Sequence, residues 1–487
     1  MADELATLDA IAQAELVRRG ELSSVELVEA AIDRCERLNP VLNAVIHPAL
    51  ERARELATSK HLAATPFRGV PFLMKDIGGE EAGQPVHAGL GLAKRLGYRA
   101  KENSWFTQKL VDAGLVSLGR TNTPELALLP TSEPEAYGPT RNPWNTEHSS
   151  GGSSGGASAA VAAGIVPAAH ASDGGGSIRG PASMCSLVGL KPTRGRCSFG
   201  PGLGERWSGF SSEFVVSRTL RDSAALLDVV AGRMPGDPYA APPPEASFAS
   251  ALAERPRKLR VGVMTRAPRD IPLHPDLADA TLRCAERLEE LGHHVEAAQP
   301  EALDDPTLVI QYVTVVAANV ARALDAWGEK LGQTIAQGDV EPLTWELACR
   351  GRDQSAPQLL AAIENVHRLG RGLASWWQGG FDLLLTPTQA APPVRIGTLG
   401  STREEPLAGF LRSAPYGVFT LPFNLSGQPA ISLPGGFTQA GDAEWPTGLP
   451  LGVQLVAPYG EERMLLTTGA QLEEAAPWAD QRPPHFG

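Results

Sequence analysis

The chain has 487 residues, 43% hydrophobic and 20% charged, which is globular composition with enough length for one large α/β unit or two to three domains. Its net charge of −12 argues against nucleic acid or an anionic membrane as the main partner. The five cysteines (Cys35, Cys185, Cys197, Cys284 and Cys349) are odd in number and form no C-x-x-C, so they read as buried thiols in a reduced compartment. No run of eighteen apolar residues occurs and the N-terminus, MADELATLDA, is acidic. Neither a transmembrane helix nor a signal peptide is expected, and the cytoplasm is the expected location.

Residues 1–60 read as helices. Ser23 with Glu26 three residues on fits a capping box, and Leu27, Ala31 and Cys35 then recur at four-residue steps along one helix face. That helix should stop near Asn39-Pro40. Residues 67–75 form a short apolar run, read as a buried strand that ends in Lys75. Burial at such a strand end disfavours the charged amine and makes a neutral base available. Residues 78–100 are Gly-rich and read as a loop, with His87 more often solvated than functional. A helix over 103–113 and a strand over 115–119 follow. The prolines and glycines of 119–125 and 137–145 dictate turns or extended backbone.

The stretch 149–179 organises the rest. From Ser149 to Gly164 every residue except Val161 is Gly, Ser or Ala. A flexible linker would carry no helix formers inside it. Here 157–164 reads as a tightly packed helix, and the apolar 165–169 as a buried strand. Two clusters, Gly151-Gly152-Ser153-Ser154 and Gly174-Gly175-Gly176-Ser177, flank them, so Ser153 and Ser177 return to one place. A strand over 213–218, a helix over 222–232, a Pro-rich crossing at 235–244, a strand over 258–264, a helix over 276–291 and a strand over 294–297 come next. Residues 305–378 read as helical, and their Tyr312, Trp327, Trp345, Trp376 and Trp377 as core aromatics. A strand over 381–388, closing strands in 424–434 and 448–454, and an amphipathic helix over 464–475 complete the chain. Strands alternating with helices of this length suggest an α/β protein with a mixed sheet.

Lys75, the Gly151–Gly156 cluster and Ser172-Asp173-Gly174-Gly175-Gly176-Ser177-Ile178-Arg179 resemble the amidase signature family. So do Pro181-Ala182 and residues 189–196. The separation of the two serines, 177 − 153 = 24, matches that family's bridging serine and nucleophile. Within that family the chain resembles, over almost its whole length, the bacterial branch that includes the 6-aminohexanoate cyclic dimer (nylon oligomer) hydrolases. The resemblance implies one amidase domain over 1–487, with N-terminal helices (1–65), a signature core (66–220) and a helical substrate-facing region (300–420). It implies a central mixed β-sheet covered by α-helices on both faces. It also implies amide hydrolysis by a Ser–cis-Ser–Lys triad of Ser177, Ser153 and Lys75, with a cis bond between Gly152 and Ser153.

In that relay Ser177 is the nucleophile, Lys75 the base, and Ser153 the hydroxyl that passes the proton between them and returns one to the leaving nitrogen. The N–H groups of Gly174, Gly175, Gly176 and Ser177 would form the oxyanion hole. Ser154, Asp173 and Arg179 are supporting residues, Asp173 and Arg179 holding loop backbone. His170 and His148 are the alternative bases, but neither belongs to a G-x-S-x-G elbow or a known triad order. Three departures from the family pattern stand out: Gly174, Ser186 in place of a common Gly, and Cys197 in place of a common Val. No metal-ligand cluster and no phosphate loop occur, so no metal and no cofactor are expected. The expected partner is a small-molecule amide, with no nucleic acid and no membrane; a homodimer is left open. Two further readings stay open: the amidase subunit of a tRNA-dependent amidotransferase, and a scaffold that keeps the fold without the activity.

Overall fold

A computed structural model describes residues 2–439 and 441–486. Along the chain run β1 (Val45–Pro48), β2 (Pro71–Lys75), β3 (Val116–Thr121), β4 (Arg141–Asn142), β5 (Asn145–Ser149), β6 (Ala168–Asp173) and β7 (Val188–Lys191). Then come β8 (Ser212–Ser217), β9 (Arg260–Val263), β10 (His294–Ala297), β11 (Leu383–Pro387), β12 (Ala430–Phe437) and β13 (Pro450–Val456). Strands β4 and β5 pair as a small ribbon. The others form one sheet in the order β1-β3-β2-β6-β8-β7-β12-β13-β11-β9-β10. β2 is parallel to both neighbours, β3 and β6, and β9 is parallel to both of its own, β11 and β10. The pairs from β6 through β11 in between are antiparallel, so the sheet is mixed. Every residue of β2, β6, β8 and β13 is buried, as happens only when helices cover both faces.

The N-terminal segment departs from the all-helical expectation. Ser23 does cap the helix Ser24–Leu42 in a capping box with Glu26, but the helix runs through Pro40 and ends on Asn43, whose φ of 50° makes a left-handed cap. Residues 45–48 then form the edge strand β1 against β3. Gly119 makes that pairing possible: a Cβ there would lie 2.1 Å from the His47 carbonyl oxygen. The strand expected at 165–169 begins later, at Ala168, because the helix ends on Gly164 (φ +76°) and Pro167 has no N–H for a ladder. The loop at 78–100 contains a short helix, Gly91–Leu96.

Residues 305–378 form three helices, Leu308–Leu331, Pro342–Asp353 and Ala356–Gln378, the second and third each packed on the first. The first has the length and mean hydropathy (1.3) of a spanning segment, but its Val315, Val316, Val320 and Leu324 are buried within this group. Trp327 is buried there too, and Trp376 stacks on Phe381 at 4.3 Å between ring centroids. Cys35, Cys185, Cys197 and Cys284 are buried thiols, and Cys349 is half-buried.

Candidate active site

β2 lies between two strands and beneath helices, so the side chain at its last position leaves the sheet inside the protein. Lys75 is fully buried. Its Nζ lies 2.7 Å from Ser153 Oγ, 2.9 Å from Ser154 Oγ and 3.1 Å from Ser172 Oγ. Among the described residues it makes no ion pair. Burial lowers its pKa to about 7, although the charges of Asp173 and Glu213 pull the other way. Three neighbours suit a neutral amine, which has two N–H donors and one lone pair. Ser154 Oγ donates to the Ser172 carbonyl at 3.3 Å, so it meets the amine as an acceptor. If Ser172 Oγ takes the second N–H, the lone pair is left to the Ser153 hydroxyl. Ser172 was not among the residues expected in the site. It opens the Ser172–Arg179 stretch that carries the resemblance, but only its place on β6, beside β2, brings its hydroxyl to the amine.

The Gly152–Ser153 peptide bond is cis. Ser132 pins this turn: its Oγ lies 3.1 Å from the Gly151 carbonyl and 3.3 Å from the Ser153 carbonyl, and accepts from Gly155 N–H at 3.0 Å. Gly152 must be glycine, since a Cβ there would sit 2.3 Å from Thr131 N. The helix Gly155–Ala162 that follows is buried at every residue. Its small side chains let the turn and β6 approach each other closely.

Beyond β6 the chain wraps around Asp173. The fully buried Asp173–Arg179 pair is held by Nε to Oδ2 at 2.9 Å and Nη2 to Oδ1 at 3.0 Å. Burial alone would raise the Asp173 carboxyl, but the Arg179 charge and its hydrogen bonds hold it well below the usual range. Arg179 also donates to the Thr420 carbonyl, Gln454 Oε1 and Asn424 Oδ1. Asp173 and Arg179 are thus fixed charges that hold loop backbone, and Asn424 and Gln454, which no motif singled out, complete their shell. One expectation is corrected here. Gly176 N–H donates to Asp173 Oδ1 at 2.7 Å, so it is committed to the loop's own carboxylate and is not a free oxyanion donor. The N–H groups of Gly174, Gly175 and Ser177 have no partner among the described residues.

Ser177 is half-buried, and its hydroxyl makes no hydrogen bond among the described residues. The Lys75–Ser153 link is therefore formed in this structure, and the Ser153–Ser177 link is not. Neither alternative base meets Ser177. His170 Nδ1 accepts from the Lys75 backbone N–H at 3.3 Å, and His148 Nε2 lies 3.2 Å from the Glu444 carbonyl. His87 is buried, between Tyr137 Oη (2.5 Å) and the Tyr98 carbonyl (3.1 Å). Ser186, in place of a common glycine, has the left-handed φ of 57° that such a glycine would supply.

The family model described as Amidase matches residues 26–466, and the chain belongs to the amidase signature family of carbon–nitrogen hydrolases. It is 44% identical over 483 residues to the 6-aminohexanoate-cyclic-dimer hydrolase of Paenarthrobacter ureafaciens, covering 98% of this chain and 96% of that one. The structure of a 6-aminohexanoate cyclic dimer hydrolase complexed with substrate superposes with a TM-score of 0.94 at 43% identity, covering 99% of this chain and 100% of that one. A bacterial aryl acylamidase of the family superposes with a TM-score of 0.85 at 30% identity, covering 97% of each chain.

Proposed function

We propose that the protein hydrolyses small, largely apolar amides, linear, aryl or cyclic, through an acyl-enzyme on Ser177. The observation that carries the mechanism is Lys75: a fully buried amine, lowered to about 7, with Ser153 Oγ 2.7 Å away. Neutral Lys75 takes the Ser153 hydroxyl proton as Ser153 takes that of Ser177. The freed Ser177 oxygen attacks the amide carbon, and the carbonyl electron pair moves onto oxygen. The unpartnered N–H groups of Gly174, Gly175 and Ser177 stabilise that charge. As the C–N bond breaks, Ser153 passes a proton to the leaving nitrogen and recovers one from Lys75. Water then attacks the ester through the same relay, and the carboxylic acid departs.

The amide class is supported by the relatives above and by the apolar Trp207 and Leu421 side chains against the oxyanion loop. The test is a fluorophosphonate probe with peptide mapping, beside hydrolysis of a panel of aliphatic, aryl and cyclic amides. The expected result is one adduct on Ser177, with labelling and turnover both lost in Ser177→Ala. Full turnover by Ser177→Ala would refute the mechanism. Glutaminase activity that rises on adding a tRNA-binding partner would point instead to the amidotransferase reading.

A further inference from the structure

We propose that Tyr312 is a specificity-determining residue of this site, and that its hydroxyl donates a hydrogen bond to a polar acceptor in the acyl part of the substrate. The proposal rests on the amide-hydrolase reading and extends it to the substrate's acyl half. In that reading the leaving nitrogen faces Ser153, which returns its proton. The acyl group then lies on the other side of Ser177, against Gly174 and Gly175.

Gly174, Gly175 and Ser177 keep some exposure, whereas Gly176, Ile178 and Arg179 are sealed. Trp207, Tyr312 and Leu421 are the side chains nearest the two exposed glycines. A Cβ on Gly174 would meet the Trp207 ring at 3.0 Å, and one on Gly175 would meet Tyr312 Oη at 3.0 Å and Leu421 Cδ1 at 3.7 Å. Thr420 Oγ1 is adjacent but already donates to the Gly175 carbonyl at 2.7 Å. The Tyr312 hydroxyl has no hydrogen-bond partner among the described residues. Burial, and then the charge of Asp173, push it well above the usual tyrosine range, so it stays a neutral donor.

The ring that carries this hydroxyl is held from several sides. Tyr312 stands on the helix Leu308–Leu331, stacks on Phe210 with centroids 6.1 Å apart, and packs against two apolar clusters. The facing loop is also fixed. Trp207 and Ser208 both adopt φ +53°, a conformation that costs a non-glycine residue about 1–2 kcal/mol. Asn319, on the same helix as Tyr312, donates to Ser208 Oγ at 3.1 Å. A strained tryptophan held against Gly174 and a spare donor held against Gly175 border the exposed face of the loop with a surface that is apolar except at one point. An acyl chain of carbons laid against it leaves the hydroxyl unsatisfied. A chain with a carbonyl oxygen at that point satisfies it, which is the kind of difference that discriminates strongly in an apolar site.

The test compares two p-nitroanilides of equal chain length, one with a second amide in its acyl chain and one with methylenes there. Wild-type protein is expected to favour the first, and Tyr312→Phe to lower its kcat/KM roughly tenfold, chiefly through KM, while changing the second less than threefold. Phenylalanine keeps the ring and its packing, so a structural role alone would leave the ratio of the two substrates unchanged. A Tyr312→Phe protein that keeps the wild-type ratio overturns the proposal and leaves the amide-hydrolase reading standing. Wild-type protein that cleaves neither anilide, nor any amide of the panel, overturns both.

Discussion

Lys75 Nζ stands 2.7 Å from Ser153 Oγ at a strand end sealed from solvent, while Ser177, on the next turn, stays half-exposed and unbonded. In the proposed relay the inner proton link is already built, and the outer one closes when substrate fills the site. Catalytic hydrogen bonds often tighten only at that stage.

The charge of Lys75 sets the pH dependence. Catalysis needs the neutral amine, so kcat/KM should rise with pH through about 7 and level off above it. Stability should follow the same direction. An unfolded lysine near 10.5 binds a proton that the native amine does not, so the native state gains stability as pH rises from about 7 towards 10.5. Lys191, also buried and lowered to about 7, contributes with the same sign. A kcat/KM profile without an inflection between about pH 6 and 8 would contradict this assignment.

Substitutions around the amine separate base from scaffold. Lys75→Met should lower kcat by about 10²–10⁴ while the fold survives, because a buried charge-bearing group is replaced by an apolar one of similar length. Ser172→Ala removes an acceptor that also serves the charged amine, so the acid inflection should move to lower pH. Steady-state kinetics across pH with a thermal melt at each end would show both.

The oxyanion loop tolerates little at Gly176. A Cβ there would lie 2.3 Å from Thr420 Oγ1 at a φ of +134°. Gly176→Ala should displace the neighbouring donors and cost about 10²-fold in kcat, the loss expected for one oxyanion donor. Gly83, at φ +76° with nothing within 4 Å, is the control. Gly83→Ala should cost only about 1–2 kcal/mol of backbone strain and leave turnover unchanged.

Asp173→Asn leaves the Arg179 guanidinium buried beside a neutral amide. Breaking such a pair costs about 3–5 kcal/mol, measurable as a lower urea midpoint. Turnover should fall with it, since Gly176 and Ile178 lose a charged acceptor.

The thiols offer a cheap check on the packing. Burial raises the Cys35 and Cys284 thiols to about 12 and pushes Cys185 and Cys197 higher still, whereas Cys349 is half-buried. A thiol reagent should modify Cys349 first in native protein, and all five cysteines of the sequence only after unfolding.

The chain's own order of residues was enough to mark Lys75 as a strand-end amine, the Gly/Ser stretch as a turn into a packed helix, and the alternation that builds a mixed sheet. Those features are local: an apolar run, a run of small side chains and a period are all visible within a few neighbours. Tertiary structure alone decided that Pro40 stays inside a helix, that residues 45–48 pair as β1, that Ser172 and Ser132 join the site, and that Asp173 takes the Gly176 N–H from the oxyanion set. Each of these depends on groups far apart in sequence competing for one donor, one acceptor or one sheet edge, and that competition is settled only when the chain is folded around it.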